Sequence, residues 1–228
     1  MRNSYMKGMP LNIAADFPAG PGPFPTLIMA PGLRYDMQGS VIKHIAACLV
    51  AKGFVVFRFN WDFYENDPQL GLPSCDLSAE IETMHAALNL ARRDQRVDQQ
   101  RLSVAGKSFG SMIAWRVFLT DTSLQRCVLL TPLCTASESE RDALRQVNDN
   151  YPDASTNARP VLMVAANRDP HCDLPLLYRF ATLASAQVAV LTGDHSFETI
   201  ASNPENAQMR FDRNLNLLVR HMENFLLD

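Results

Sequence analysis

Short apolar or β-branched runs alternate along the chain with longer segments whose apolar residues recur every three or four positions. Thr26–Ala30 (TLIMA) reads as a buried strand closed by the turn Pro31-Gly32. Ser40–Lys52 sets Val41, Ile45, Cys48 and Leu49 on one helical face, and Gly53 stands where a helix favours a left-handed terminating residue. Phe54–Asn60 (FVVFRFN) predicts the next strand, and Leu77–Arg93 a helix with Leu77, Ile81, Met84, Leu88 and Ala91 as its stripe. Strand Leu102–Ala105, helix Ser108–Thr120 and strands Cys127–Thr131 and Val161–Ala166 follow. Helix Leu174–Leu183, strand Gln187–Leu191 and a helix from about Met209 to Leu226 complete the series. Ala19–Pro25, Asp62–Ser74 and Thr135–Pro160 read as loops; the last has room for one short helix, Glu138–Val147, with Ala143, Leu144 and Val147 as its apolar face.

Strands separated by helices imply parallel pairing, because parallel neighbours need a crossover. Strands apolar on both faces imply helices on both sides of the sheet. The predicted fold class is therefore α/β: a three-layer sandwich with a mostly parallel sheet. Residues 1–228 form one domain, with a short polar cap or loop segment at about 135–160. In such sheets ligands bind beyond the carboxyl ends of the strands. Chemistry is expected just after Ala30, Asn60, Ala105, Thr131, Ala166 and Leu191.

Composition narrows the function classes. With 228 residues, 47% of them hydrophobic, the chain suits a single core. Lys plus Arg is 21 against 24 Asp plus Glu, a formal net charge of −3 without a basic block, which argues against nucleic acid as a partner. No apolar run approaches the roughly 18–20 residues that cross a bilayer. Met1–Ala15 is mixed and polar, unlike a secretion signal, so a cytoplasmic location is expected. Cys48, Cys75, Cys127, Cys134 and Cys172 are odd in number and lack C-x-x-C spacing, which argues against a disulfide framework and a zinc site. His171-Cys172-Asp173 has neither the spacing nor the second cluster that a metal site needs.

Directly after strand Leu102–Ala105 stands Gly106-Lys107-Ser108-Phe109-Gly110, a G-x-S-x-G sequence opening a helix. This pattern builds a tight strand-to-helix turn with the serine at its apex. A phosphate-binding loop is excluded, since its first glycine would fall at position 101, which is Arg. A serine needs a base to take its proton and a third group to orient that base. Asp169 follows strand Val161–Ala166 and His195 follows strand Gln187–Leu191, both at the edge where Ser108 lies. Asp173 is the rival acid, better placed to cap the following helix, and Asp194 is better placed to hold its own loop. Oxyanion donors are expected from the backbone N–H of Phe109 and, in the turn after the first strand, of Leu33. Arg34, Trp61 and Lys107 are candidate substrate-binding residues. Each has a plainer alternative: pairing with a carboxylate for the two cations, loop packing for Trp61.

These features resemble the α/β-hydrolase superfamily, and more narrowly its small dienelactone-hydrolase-like branch with the testis-expressed and KAT8-regulatory-complex homologues. The resemblance rests on APGLRYDM (Ala30–Met37), GFVVFRFN (Gly53–Asn60), VAGKSFGS (Val104–Ser111), LLTPL (Leu129–Leu133) and GDHSF (Gly193–Phe197). It implies Ser108 as nucleophile, Asp169 as acid and His195 as base. The implied activity is hydrolysis of a small-molecule ester or thioester through an acyl-enzyme, without a cofactor. A homo-oligomer is compatible with this reading. A non-catalytic interaction protein that retains the fold, or a small peptidase, are the alternatives.

Overall fold

The computed structural model describes residues 11–137 and 139–228. The expected polar start of the chain at residues 1–10 and the first residue of the expected cap helix, Glu138, lie outside the described residues.

Seven strands form one sheet in the order β1-β3-β2-β4-β5-β6-β7. They are β1 (Ile13–Asp16), β2 (Phe24–Ala30), β3 (Val55–Phe59), β4 (Val97–Lys107), β5 (Arg126–Leu130), β6 (Val161–Ala166) and β7 (Gln187–Leu191). All neighbours pair in parallel except β1, which runs antiparallel along β3 at the edge. From β2 the chain steps outward to β3 and then returns to lay β4 on the other side of β2. The strand order therefore reverses between β2 and β4, the kind of crevice where open α/β sheets bind ligands.

Period-two alternation explains the layering. In β6, Val161, Met163 and Ala165 face one core, while Leu162, Val164 and Ala166 face the other. The first core is covered by α3 (Ser78–Arg93), α4 (Phe109–Thr120), α5 (Glu140–Asn150) and α6 (Leu174–Leu183). The second is covered by α1 (Ser40–Ala51) and α7 (Pro204–Leu227). On α1 the buried residues are Val41, Ile42, Ile45, Ala46 and Leu49; Cys48, expected in that stripe, is only half-buried.

Three expectations are corrected by the structure. The Asp62–Ser74 loop contains a short helix, α2 (Asp62–Asn66). The expected helix Glu138–Val147 is observed as Glu140–Asn150, with Ser139 accepting the Asp142 N–H at 3.1 Å as its N-cap. The last helix begins at Pro204 rather than near Met209, with the Asn203 side chain accepting the Asn206 N–H at 2.8 Å. Among the described residues, no helix is long and apolar enough to cross a membrane.

Candidate active site

Ser108 stands alone between β4 and α4, with φ 53° and ψ −120°. A non-glycine residue in this region is strained by about 1–3 kcal/mol, and the surroundings must hold it there. They do so through close backbone approach. A Cβ on Gly106 would lie 2.1 Å from the Gly110 carbonyl oxygen, and one on Gly110 would lie 2.4 Å from that of Pro31. The Ser108 N–H donates to the Leu130 carbonyl at 2.8 Å, and the Ser108 carbonyl accepts the Ser111 N–H at 2.9 Å. Ser111 Oγ donates to the same carbonyl at 2.5 Å and lies 2.7 Å from the Tyr151 hydroxyl. That hydroxyl in turn accepts the Leu133 N–H at 2.7 Å.

Asp169 follows β6 with its carboxyl group buried, and its Oδ2 lies 2.7 Å from Nδ1 of the partly exposed His195. Asp169 Oδ1 accepts the His171 N–H at 2.8 Å, so both carboxylate oxygens are committed. The loop carrying His195 is braced at several points. Asp194 accepts the Ser196 and Glu198 N–H groups at 2.8 and 3.0 Å, while Asn167 accepts that of Gly193 at 3.1 Å. From α7, the Asn214 amide donates to the carbonyls of Thr192 and Phe197 at 2.5 and 2.8 Å. Asp173, the rival acid, accepts the Leu176 N–H at 3.0 Å and caps α6.

Ser108 and His195 line one cavity of about 420 Å³. Its other walls are the Gly32–Tyr35 turn after β2, Lys107 and Phe109 beside Ser108, and Leu133, His171 and Ser196. Leu33 and Phe109, the two expected oxyanion donors, thus border the same space as the serine. The Phe109 N–H opens α4, where backbone donors have no partner within the helix. Arg34 reaches this wall as well, with its guanidinium donating to the Gln69 carbonyl.

Trp61 does not line this cavity. It is 1% exposed, donates from its indole to the Pro31 carbonyl at 3.0 Å, and packs edge-on against Phe109 with centroids 5.7 Å apart. An apolar ring with one donor is best satisfied in the core when a carbonyl is in reach. Lys107 is also buried, at 2% exposure, and has no carboxylate within ion-pair distance among the described residues. Its Nζ donates to the His195 carbonyl at 3.0 Å and lies 4.9 Å from the centre of the Tyr35 ring. Burial pushes the ammonium pKa down to about 8, against the opposing fields of Asp169 and Asp194.

His171 is a site residue that sequence reasoning did not select. Its closeness to Asp169 in sequence made it a poor triad base, yet it borders the cavity with its ring edge-on to His195 at 4.9 Å. Its segment is tied down by Cys134, which donates its N–H to the His171 carbonyl at 3.0 Å and accepts the Asp173 N–H at 2.8 Å. Among the described residues, no three His, Cys, Asp or Glu side chains converge as metal ligands.

No curated protein matches the chain by sequence. Solved structures do match it in fold. One is Est1E of Butyrivibrio proteoclasticus with bound ferulic acid, at TM-score 0.71 and 15% identity over 95% of this chain and 94% of that one. A serine hydrolase homologue from Coxiella burnetii matches at TM-score 0.67 and 21% identity, over 92% and 91% of the two chains. A serine hydrolase without a lid from Xanthomonas campestris matches at 0.66 and 19%, over 95% and 88%. At these identities the likeness establishes the fold alone. The model of the alpha/beta hydrolase domain matches residues 24–225, the whole sheet from β2 onward with the serine turn and the paired Asp169 and His195 inside it, and this chain belongs to that family.

Proposed function

We propose that this chain is a serine hydrolase of small-molecule esters or thioesters, within the dienelactone-hydrolase-like branch. One observation carries the reading: a buried carboxylate 2.7 Å from a partly exposed imidazole that shares a cavity with a serine held at φ 53°. Ser108 Oγ attacks the acyl carbonyl while His195 Nε2 takes its proton. Asp169 accepts the Nδ1–H, fixing the tautomer and stabilising the imidazolium that forms. The developing oxyanion is received by the N–H groups of Leu33 and Phe109. The imidazolium then protonates the leaving group, and water releases the acyl chain by the reverse sequence.

The esterase and serine hydrolases among the structural neighbours support this chemistry by analogy. A panel of acyl esters and thioesters tests it. Turnover by the wild-type chain that disappears in Ser108→Ala supports the proposal. Turnover unchanged in that variant removes Ser108 as the nucleophile, and turnover absent on every substrate favours a protein that keeps the fold for binding alone.

A further inference from the structure

Lys107 is the strongest unexplained group in the molecule: an aliphatic amine 2% exposed, one residue before Ser108, with no carboxylate in ion-pair contact among the described residues. Although it borders the cavity, so little of it is accessible that a substrate anion cannot reach it without displacing its neighbours. Its hydrogen bond goes inward, to the backbone carbonyl of His195 itself. We propose that Lys107 is a positioning residue for His195. Its buried ammonium anchors the loop through that carbonyl and so fixes where the imidazole stands beside Asp169. The proposal rests on the reading of His195 as the general base.

Charged and aromatic groups surround the pair. His195 faces Asp169 at 2.7 Å and His171 at 4.9 Å. Lys107 faces the Tyr35 ring and feels the fields of Asp169 and Asp194. Arg34 borders the same cavity from the turn after β2, with its guanidinium engaged at Gln69. Asp36 and Glu198 act on the Tyr35 ring that faces the ammonium. The ammonium and the Asp169 carboxylate thus hold the His195 residue at two points, its backbone carbonyl and its Nδ1. A base held at both ends keeps its imidazole in one place, and misplacing a catalytic group costs rate.

The test reads the His195 ring signals by NMR on histidine-labelled wild type, Lys107→Met and Lys107→Arg, with kcat and KM on any ester that is turned over. The account expects Lys107→Met to displace the His195 ring signals while those of His44, His85 and His221 stay in place, and to lower kcat by about tenfold or more with KM little changed. Lys107→Arg, which keeps a charged donor, should restore both. A folded Lys107→Met with unmoved His195 signals, or Lys107→Arg matching Lys107→Met, overturns the proposal and leaves only a packing role. Should Lys107→Met fail to fold, the wild type still answers. The chain has four lysines. Lysine labelling should therefore show one titrating near 8, and the His195 ring signals should move as that lysine loses its proton. Signals that ignore that step also overturn it. The NMR measurements need no substrate. A Ser108 inert to acylating probes would defeat the hydrolase reading while the Lys107 result still stands or falls separately.

Discussion

Asp169 and Asp173 lie four residues apart and carry the same side chain into opposite roles. Asp169 points at an imidazole with its carboxyl buried, and Asp173 caps a helix. Substitution by Asn should separate them. In Asp169→Asn the amide cannot hold the productive tautomer, so turnover on any accepted ester should fall by about 10⁴-fold. In Asp173→Asn, Asn caps a helix nearly as well as Asp, so stability and turnover should stay close to wild type. Steady-state kinetics on both variants checks this pair of outcomes. Gly110 makes a different demand. An added Cβ would sit 2.4 Å from the Pro31 carbonyl, so Gly110→Ala must push the helix from the strand. A loss of about 1–3 kcal/mol in urea unfolding is expected. At this scale the sequence was legible where chemistry sits beside a local signal: the glycines around Ser108, and Asp169 and His195 each just past a strand. Lys107 and Asn214 were not legible as supports of the His195 loop. Each meets a backbone carbonyl distant in sequence, and no residue pattern marks a carbonyl as an acceptor.

Among the elements, the parallel strands and their crossover helices could be read because each is apolar on both faces or carries a clear stripe. β1 could not. It is four residues of IAAD at the sheet edge, without alternation, and it is recruited through β3 and the Arg58 guanidinium, which donates to Asp16 at 2.7 Å. The early start of α7 had a signal in Asn203-Pro204-Glu205, an N-cap followed by proline at the first helical position. The apolar stripe drew attention to a later start instead. The 135–160 segment contributes through a residue no periodicity selects. Tyr151 is fully buried, and its hydroxyl joins Ser111 on α4 to the Leu133 N–H at the cavity wall. Tyr151→Phe keeps the ring but leaves that N–H without its acceptor. A loss of about 1–3 kcal/mol in unfolding free energy is expected, with the helical content of the folded chain unchanged by circular dichroism.

The whole molecule places its candidate chemistry where the sheet order reverses. The turn after β2 and the serine turn after β4 form neighbouring walls of one cavity. Among the described residues, none from 135–160 lines it, so its apolar wall is limited to Leu33, Tyr35, Phe109 and Leu133, with no cap to extend it along a long acyl chain. Each buried methylene is worth about 0.8 kcal/mol only where such a wall exists. On p-nitrophenyl esters kcat/KM should therefore peak between acetate and butyrate and fall by octanoate. Rates still rising at about ten carbons would contradict this, since they demand burial of roughly six methylenes beyond butyrate, about 5 kcal/mol.

Stability should also depend on pH in a characteristic way. In the folded chain Lys107 titrates near 8 rather than 10.5. Between those values Lys107 binds more protons unfolded than folded, so its own contribution to stability rises with pH from about 8 to about 10, by roughly 2 kcal/mol. The Cys127 thiol and the Tyr151 hydroxyl, whose pKa values burial raises, and the Cys134 thiol, raised by its hydrogen bond to Cys172 and by burial, act in the opposite sense from about pH 9 upward, because their unfolded forms ionise first. The Lys107 contribution is therefore read as a difference: in urea unfolding, the stability of wild type relative to Lys107→Met should rise by that amount across the window, and a flat difference would contradict it.

The central claim is that Ser108 is a nucleophile activated by His195 and held in place by the fold. A fluorophosphonate probe with the adduct located by mass spectrometry tests it most directly, because the probe traps the attacking oxygen without knowledge of the substrate. The account predicts one adduct, on Ser108, formed by the folded wild type, greatly slowed in His195→Ala and lost on denaturation. A folded wild-type chain left unmodified at Ser108, or modified there no faster than the His195→Ala variant, would contradict it.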